Sequence, residues 1–443
     1  MTREILALAV PATLAIASEP ILSVADTAMI GQLGVEPLAA QAIGSALIGG
    51  IYWVFAFLIF GTTTLVGFHY GANDPEACGE ICLQAFFLAV AGGAAVGSAG
   101  ILFAPQLYSL MGATGDIATE GARYFRIRIA ATPFTFLFYV LVGFMRGIQN
   151  TRTPLLVAVT VNGLNLLLDY LLIYGKLGLP ALGLSGAAVA ALISQLIGGG
   201  ICLRLLFFSH YSVRFSLNRW RFNRRRFLSL TQIGRDLAAR TGALRFSLVF
   251  ATGSVARMGA SQLSGYEIAL QLFLLSSDAI DGLAVAGQAL VAKYLGTNQP
   301  ERAYRMGKNL ILCGLGAGLI FALGYLALER QLIALFTNSP QVIELLAGGI
   351  FLLLALFQPL NGVAFVTDGL LIGAHDTRFL MWAMLIGALG LFLPVAWVSL
   401  YWELGIIGVW TGLSLLMAWR VGTNLFRFFS RKWIPIQRIK DDG

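Results

Sequence analysis

Two long apolar segments of the chain carry acidic and amide side chains at helical spacing. Each set has three members separated by three or four positions, so its members lie on one face of a helix. The sets are Glu19, Ser23 and Asp26 in the first segment, and Asn162, Asn165 and Asp169 in a later one. Ionisable residues are expensive inside a membrane, so those that persist there usually pair, line a cavity or bind something.

Asp26 and Asp169 have the chemistry needed to bind a proton. Burial away from water disfavours the charged form of a carboxyl group, so a buried aspartate can take up a proton and release it when its surroundings change. Both residues are expected in the outer halves of their helices, where they would form one polar cluster. The alternative, that they are only structural hydrogen-bond partners, stays open at this point.

A second group of polar residues lies in apolar segments of the C-terminal half: Asp278, Asp281, Asn361 and Asp368. These side chains suit a cation or a cationic substrate. They equally suit pairing with basic residues of the same half, namely Arg240, Arg245 and Arg257. The sequence leaves both interpretations open.

Three arginines open an apolar run in the N-terminal half: Arg123, Arg126 and Arg128. We interpret them as packing residues, or as ion-pair partners of Asp116 or Glu120 at the outer end of the run.

The composition indicates that these residues sit in a membrane protein. Of 443 residues, 58% are hydrophobic and only 12% are charged, whereas soluble domains carry about 25% charged residues. The basic residues are concentrated in short loops, which indicates membrane topology rather than nucleic-acid binding. The chain has no His-Glu-x-x-His motif, no Gly-x-Ser-x-Gly elbow and no zinc-type cysteine spacing. We therefore expect no enzyme activity, no metal and no organic cofactor.

Apolar runs of about 20 residues predict twelve membrane-spanning helices. Their expected positions are 5–31, 40–68, 80–105, 120–145, 154–175, 182–208, 238–257, 266–293, 308–328, 346–372, 379–401 and 404–428. Arg and Lys are most frequent after the even-numbered helices, so both termini are expected to be cytoplasmic. We expect a multi-pass protein of the cytoplasmic membrane.

The chain also contains an internal repeat. Tyr70-Gly-Ala-Asn-Asp-Pro-Glu76 matches Leu295-Gly-Thr-Asn-Gln-Pro-Glu301, and Gly147-Ile-Gln-Asn-Thr-Arg152 matches Gly373-Ala-His-Asp-Thr-Arg378. The two members of each matched pair are expected on the same side of the membrane, so the repeats are parallel. Parallel repeats predict two six-helix lobes related by a pseudo-twofold axis along the membrane normal. The expected organisation is an N-lobe at 1–208, a basic cytoplasmic inter-lobe loop at 209–237, a C-lobe at 238–430 and a cytoplasmic tail at 431–443.

These motifs resemble the multidrug and toxic compound extrusion (MATE) family, and within it the DinF branch. The resemblance covers essentially the whole chain. Its residues are the stretch from Glu19 to Ala28, the loop from Met145 to Pro154, the stretches 165–174 and 186–191, and the stretches 279–282 and 359–369.

The resemblance implies two six-helix bundles around a V-shaped central cavity, with alternating access driven by a cation. In DinF-like proteins that cation is usually H⁺, and its acceptor corresponds to Asp26. Asn165 and Asp169 match the partner residues on helix 5, Pro11 matches the bending proline of helix 1, and Tyr139 matches a polar position nearby. The expected function is export of organic small molecules in exchange for H⁺ by a monomer in the lipid bilayer.

The resemblance also leaves alternatives. Ala191 stands where similar proteins often have Thr, and Asn361 stands where the NorM branch has a carboxylate, which weakens a NorM-like sodium site. Na⁺ coupling nevertheless remains an alternative, and so does a lipid or glycolipid flippase of the wider superfamily. The substrate and the coupling stoichiometry are not determined by the sequence.

Overall fold

A computed structural model describes residues 2–208, 223–402 and 404–434, and the regular elements in these ranges are all helices. In the first half they are α1 Thr2–Gly31, α2 Val35–Phe55, α3 Phe57–Gly71, α4 Pro75–Leu110, α5 Gly115–Ile129, α6 Thr132–Gly147, α7 Arg152–Tyr174 and α8 Gly183–Phe208. In the second half they are α9 Arg224–Ala256, α10 Ala260–Gly296, α11 Pro300–Ala327, α12 Glu329–Phe336, α13 Pro340–Leu345, α14 Phe351–Gly373, α15 Thr377–Ile386, α16 Leu393–Tyr401 and α17 Gly405–Phe429. Two short π-helical stretches, Leu346–Ile350 and Gly387–Phe392, lead into α14 and α16.

The predicted all-helical membrane protein is confirmed by the length and apolarity of these helices. Ten described helical segments are long and apolar enough to cross a membrane, and the bent pair α5–α6 makes eleven. The remaining predicted span corresponds to α9, whose arginines Arg235, Arg240 and Arg245 lower its mean hydropathy. This helix begins at Arg224, so residues 224–237 of the expected loop are helical. The first part of that loop lies outside the described residues.

The described residues separate into two compact units. The N-unit comprises Leu14–Gly234, and the C-unit comprises Met1–Thr13 together with Arg235–Gly443. The start of α1 therefore belongs to the C-unit. There Thr13 and Ala9 lie against Gly282 of α10, at a position where a Cβ atom would collide with both.

Matching turns end the repeated helices of both halves. Asn73 and Asn298 have φ angles of 58° and 54°, and Gln149 and His375 have φ angles of 66° and 65°. A left-handed residue at these positions closes the end of a helix and satisfies its last carbonyl groups. In the first pair of turns, the amides of Asp74 and Gln299 each donate a 2.9 Å bond back to the preceding helix. The sequence matches thus correspond to the same local geometry.

A bend between α5 and α6 shapes the N-unit. The two helices meet at 44°, and Pro133 stands in the first turn of α6. Proline lacks the N–H that would continue the helical hydrogen bonds, which accounts for a break at this point. The C-terminal end of α5, just before the bend, carries Arg128, whose side chain is partly buried.

The C-unit is built around α14, which packs closely on α10, α11 and α17. The contact with α11 is tight because glycines face each other: a Cβ on Gly314 would lie 2.6 Å from the carbonyl oxygen of Gly362. Small residues at such crossings allow helix backbones to approach closely, which is the main packing device of membrane helices.

Candidate functional site

Asp26 on α1 and Asp169 on α7 lie next to each other inside the N-unit. Asp26 is 5% exposed and Asp169 is 1% exposed. Their carboxyl groups are within reach of a side-chain hydrogen bond. Asn165, one turn before Asp169, donates from Nδ2 to Asp169 Oδ2 at 2.9 Å. The predicted juxtaposition of these residues is therefore present in the structure, and we call Asp26 and Asp169 the acid pair.

Arg128 on α5 is a third charged member of this cluster. Its Nη1 lies 3.9 Å from Asp26 Oδ2 and donates to the Tyr124 hydroxyl at 3.2 Å. The sequence interpretation, which paired this arginine with Asp116 or Glu120, missed its contact with Asp26. The available signal was an arginine at the start of an apolar run, but its partner depends on how α5 packs against α1 and α7.

Each carboxyl group of the acid pair has one oxygen without a hydrogen-bond donor. Oδ1 of Asp26 and Oδ1 of Asp169 are both buried, and neither has a partner in the described structure. With all groups ionised, two carboxylates face one guanidinium, so the cluster carries one uncompensated negative charge. Buried polar atoms normally have a hydrogen-bond partner, and a hydrogen bond between two carboxyl groups requires a proton. A single added proton would thus supply the missing hydrogen-bond donor and neutralise the excess negative charge.

The other predicted residues of the N-terminal half are placed differently. Glu19 and Ser23 are exposed, and Asn162 donates to Ser18 Oγ at 3.0 Å. Tyr139 lies close enough to Glu19 for an electrostatic interaction and stacks on Phe136 with ring centroids 6.0 Å apart. Pro11 belongs to the C-unit, and α1 is continuous through it.

In the C-unit, Asp368 on α14 forms ion pairs with Arg240 of α9 and Arg420 of α17. Asn424 donates from Nδ2 to the other carboxylate oxygen at 2.7 Å. Asp281 on α10 interacts electrostatically with the same two arginines. The sequence left two interpretations open, cation binding and pairing with arginines. For Asp368 the structure favours pairing. Arg240 was among the expected partners, whereas Arg420 was not anticipated.

The remaining candidates of the C-terminal half, Asp278 and Asn361, have surroundings different from those of the Asp368 carboxylate. Asp278 interacts electrostatically with Arg245, as the pairing interpretation expected. Asn361, seven residues before Asp368 on α14, lies instead in the wall of a separate pocket. No group of three or more His, Cys, Asp or Glu side chains suited to a metal ion occurs among the described residues.

Comparison with known proteins gives matches along the whole chain. The MatE family model matches residues 11–171 and 244–398, more than half of the sequence and once in each half. Protein DETOXIFICATION 44, chloroplastic, of Arabidopsis thaliana is 30% identical over 453 residues, which cover 95% of this chain and 82% of that protein. The probable multidrug resistance protein NorM of Thermotoga maritima is 27% identical and covers 100% and 96%. DNA damage-inducible protein F of Escherichia coli is 27% identical and covers 96% and 91%.

Solved structures agree in fold. A crystal structure of a MATE protein in complex with MaD3S has a TM-score of 0.88 at 21% identity, covering 97% of this chain and 96% of that chain. An outward-facing multidrug resistance MATE family transporter has a TM-score of 0.88 at 20% identity, covering 97% and 95%. The predicted fold of twelve helices in two lobes is confirmed by this likeness.

Proposed function

The chain belongs to the MatE family, and from this premise we propose that it exports organic molecules from the cell in exchange for protons. The family membership makes it a membrane transporter rather than an enzyme. Export of organic molecules is supported by the relative named as a probable multidrug resistance protein. Proton exchange is supported by the geometry of the acid pair, which is the observation that carries the proposal.

The acid pair has two states that differ in charge. With one proton, the two carboxyl groups share a hydrogen bond and the charge of Arg128 is balanced by the remaining carboxylate. Without it, two carboxylates repel each other in surroundings that screen charge poorly. Loss of the proton therefore favours a rearrangement of α1 against α7, because that movement separates Asp26 from Asp169. In an exporter that alternates between two conformations, the pair would bind the proton on one side and release it on the other.

A proton fits this cluster better than a sodium ion does. The guanidinium of Arg128 stands 3.9 Å from Asp26 Oδ2 and would repel a metal cation bound to that oxygen. Among the described residues, the amide contact of the pair is a hydrogen bond donated by Asn165, so this side chain turns its nitrogen toward the carboxylate, whereas a metal ion requires acceptor oxygens. A proton needs no coordination shell and supplies the missing donor. We therefore propose H⁺ as the coupling ion.

The test uses purified protein reconstituted into vesicles, with ethidium as the transport probe. A pH gradient should drive ethidium efflux by the native protein, whereas a sodium gradient at constant pH should not. Asp26→Asn cannot cycle a proton and should transport at the rate of protein-free vesicles. Asp116→Asn is the matched control, because it removes the same charge from an exposed position and should transport normally.

A second measurement does not depend on the choice of substrate. A pH jump applied to protein-containing vesicles on a solid-supported membrane should produce a charge movement in the native protein and none in Asp26→Asn. Undiminished charge movement in that variant, or currents evoked by sodium alone, would overturn the proton-coupling proposal.

A further inference from the structure

Basic side chains surround one tyrosine at the end of the C-unit that we expect on the cytoplasmic side. Tyr304 lies in the second turn of α11. The guanidinium carbon of Arg431 lies 4.3 Å from the centroid of its ring, and Nζ of Lys308 lies 5.7 Å from the same centroid. Both distances are within the range of cation–π attraction. One aromatic ring therefore holds two like charges near each other.

An aromatic stack fixes the position of this tyrosine. Phe428 of α17 stacks on Tyr304 with ring centroids 5.2 Å apart, and Trp433 stacks on Phe428 at 5.4 Å. Trp433 Nε1 also donates to the backbone carbonyl of Phe428 at 2.8 Å. The chain turns back in this way because Arg431 has a left-handed φ of 57°, which closes the end of α17. The position of Arg431 is thus set by a closed helix end.

The cluster carries more positive than negative charge. Arg431 Nη1 pairs with Glu301 at 2.6 Å, but both side chains are exposed, and exposed pairs contribute little. Arg431 keeps further N–H donors, because a guanidinium has five. Lys308 has no carboxylate partner among the described residues. Two more exposed cations, Arg305 and Lys432, flank the cluster in the sequence, so this end of α11 attracts an anion.

The internal repeat indicates that the fold does not require this cluster. The same Pro-Glu dipeptide opens α4 and α11 in the two halves. At the positions that correspond to Tyr304 and Lys308, however, α4 carries Gly79 and Leu83. The turn before the helix is therefore common to both halves, whereas this ring and this cation belong to α11. A topology signal needs positive charges but not an aromatic ring that holds them.

The length of α11 places the cluster at the depth of lipid headgroups. The helix has 28 residues, so it is about 42 Å long at 1.5 Å per residue, whereas the hydrocarbon core is about 30 Å thick. Part of the helix must therefore lie outside the core. All charged residues of α11 lie between Glu301 and Lys308, and this end is the one that emerges.

An exposed apolar stripe begins one turn after Lys308, on the same face of α11. Its members are separated by three or four positions, as on one face of a helix: Leu312, Leu315, Leu319 and Leu323. A small soluble anion would use the cations alone. An acidic lipid would use both features, since its phosphate would lie at the cations and an acyl chain would follow the leucines. The continuity of charge and apolar surface therefore favours a lipid.

We propose that this site binds an anionic phospholipid, with its phosphate between Lys308 and Arg431 and one acyl chain along the leucine stripe. Basic pockets at the cytoplasmic ends of membrane helices are suited to acidic headgroups. Phosphatidylglycerol carries one negative charge and no cation. Phosphatidylcholine has the same phosphate but adds a quaternary ammonium, which Arg305 and Lys432 would repel. The site does not depend on the acid pair or on the proposed export function.

The first test measures lipid binding to the purified full chain in a neutral detergent by native mass spectrometry, which resolves each bound lipid by its mass. Phosphatidylglycerol should bind saturably, and phosphatidylcholine with the same acyl chains should bind at least about fivefold more weakly. Glycerol 3-phosphate, the soluble part of the headgroup, should not displace the lipid. Equal affinity for the two lipids, or displacement by glycerol 3-phosphate, would overturn the proposal.

Variants then locate the site. Lys308→Gln and Arg431→Gln should each weaken phosphatidylglycerol about fivefold, the effect of one cation near an acidic lipid surface, and should leave phosphatidylcholine unchanged. Arg330→Gln is the matched control, because it removes an exposed cation just beyond the other end of α11. It should retain the native affinity. If Lys308→Gln and Arg431→Gln also retain it, the basic residues serve membrane topology alone.

A gain of affinity provides a check that does not depend on damage to the fold. Glu301→Gln removes the carboxylate that competes with the phosphate for Arg431. It should strengthen the binding of phosphatidylglycerol severalfold and leave phosphatidylcholine unchanged. Unchanged or weaker binding of phosphatidylglycerol by this variant would contradict a phosphate contact at Arg431.

Discussion

The N-unit and the C-unit both bury acidic residues, but they balance the charge differently. In the N-unit, Asp26 and Asp169 share one cation, Arg128, so one negative charge remains uncompensated. In the C-unit, Asp368 and Asp281 face two arginines, and their charges balance. A balanced cluster gains nothing by binding a proton, whereas an unbalanced one does. The comparison is therefore the basis on which we propose ion coupling in the N-unit and a structural role for the charges of the C-unit.

The largest expected effect is a difference in stability between a variant of the C-unit and a variant of the N-unit, and it tests the roles proposed for the two clusters. Asp368→Asn leaves two buried arginines without their carboxylate and should destabilise the protein by about 3–5 kcal/mol. Asp169→Asn removes one of two like charges and should change stability by less than ~1 kcal/mol. Thermal unfolding in detergent, followed by intrinsic fluorescence, measures both. Equal losses of stability in the two variants would contradict the division.

Two asparagines donate hydrogen bonds to these acids, one in each unit. Replacing them gives a matched comparison, with effects of intermediate size. Asn424 donates to Asp368 at 2.7 Å, and Asn165 donates to Asp169 at 2.9 Å. Asn424→Leu should cost about 2 kcal/mol of stability, as for the loss of a hydrogen bond to a charged group. Asn165→Leu should instead displace the pH dependence of the charge movement toward higher pH, because the amide favours the ionised carboxylate.

If Asn165→Leu lowers stability as much as Asn424→Leu and leaves the pH dependence unchanged, both acids are structural. Thermal unfolding and pH-jump currents recorded on the same two preparations decide between these outcomes.

The smallest expected effect concerns Arg128, the cation beside the acid pair. Arg128→Met removes a positive charge 3.9 Å from Asp26, which makes the proton harder to release. The midpoint of the pH-dependent charge movement should move up by about one unit, since an opposite charge at this distance shifts a carboxyl group by that order. Arg123→Met, at an exposed position of the same helix, is the control and should leave the midpoint in place.

Much of this arrangement follows from the sequence. The apolar runs predicted twelve spans, eleven of which correspond to described helices long and apolar enough to cross a membrane, and the helical spacing placed Asp26 and Asp169 on faces that meet. Spacing alone also grouped Glu19 and Ser23 with Asp26, yet both are exposed. Periodicity gives the direction of a side chain around its helix but not the depth at which a neighbouring helix covers it.

The partners of the charged residues were harder to predict. Arg128 and Arg420 contact acids 102 and 52 positions away, so their pairing depends on how distant helices pack. The start of α9 was also missed, because its dense charge is typical of a loop. The segment nevertheless lacks proline between Arg224 and Ala256, so nothing in its backbone chemistry prevents a helix.

The arginines of α9 have a consequence for how the protein is made. An arginine in a spanning helix is costly to insert, by roughly 2.5–3.5 kcal/mol where it stands at the centre, and Arg240 pairs with Asp368, 128 residues later in the chain. At about 5–20 residues per second, Asp368 leaves the ribosome roughly 6–25 s after Arg240. Throughout that interval α9 is a poor candidate to enter the lipid alone. The ion pair between Arg240 and Asp368 can therefore form only after α14 has been synthesised, which makes this step in the assembly of the C-unit a late event in biogenesis.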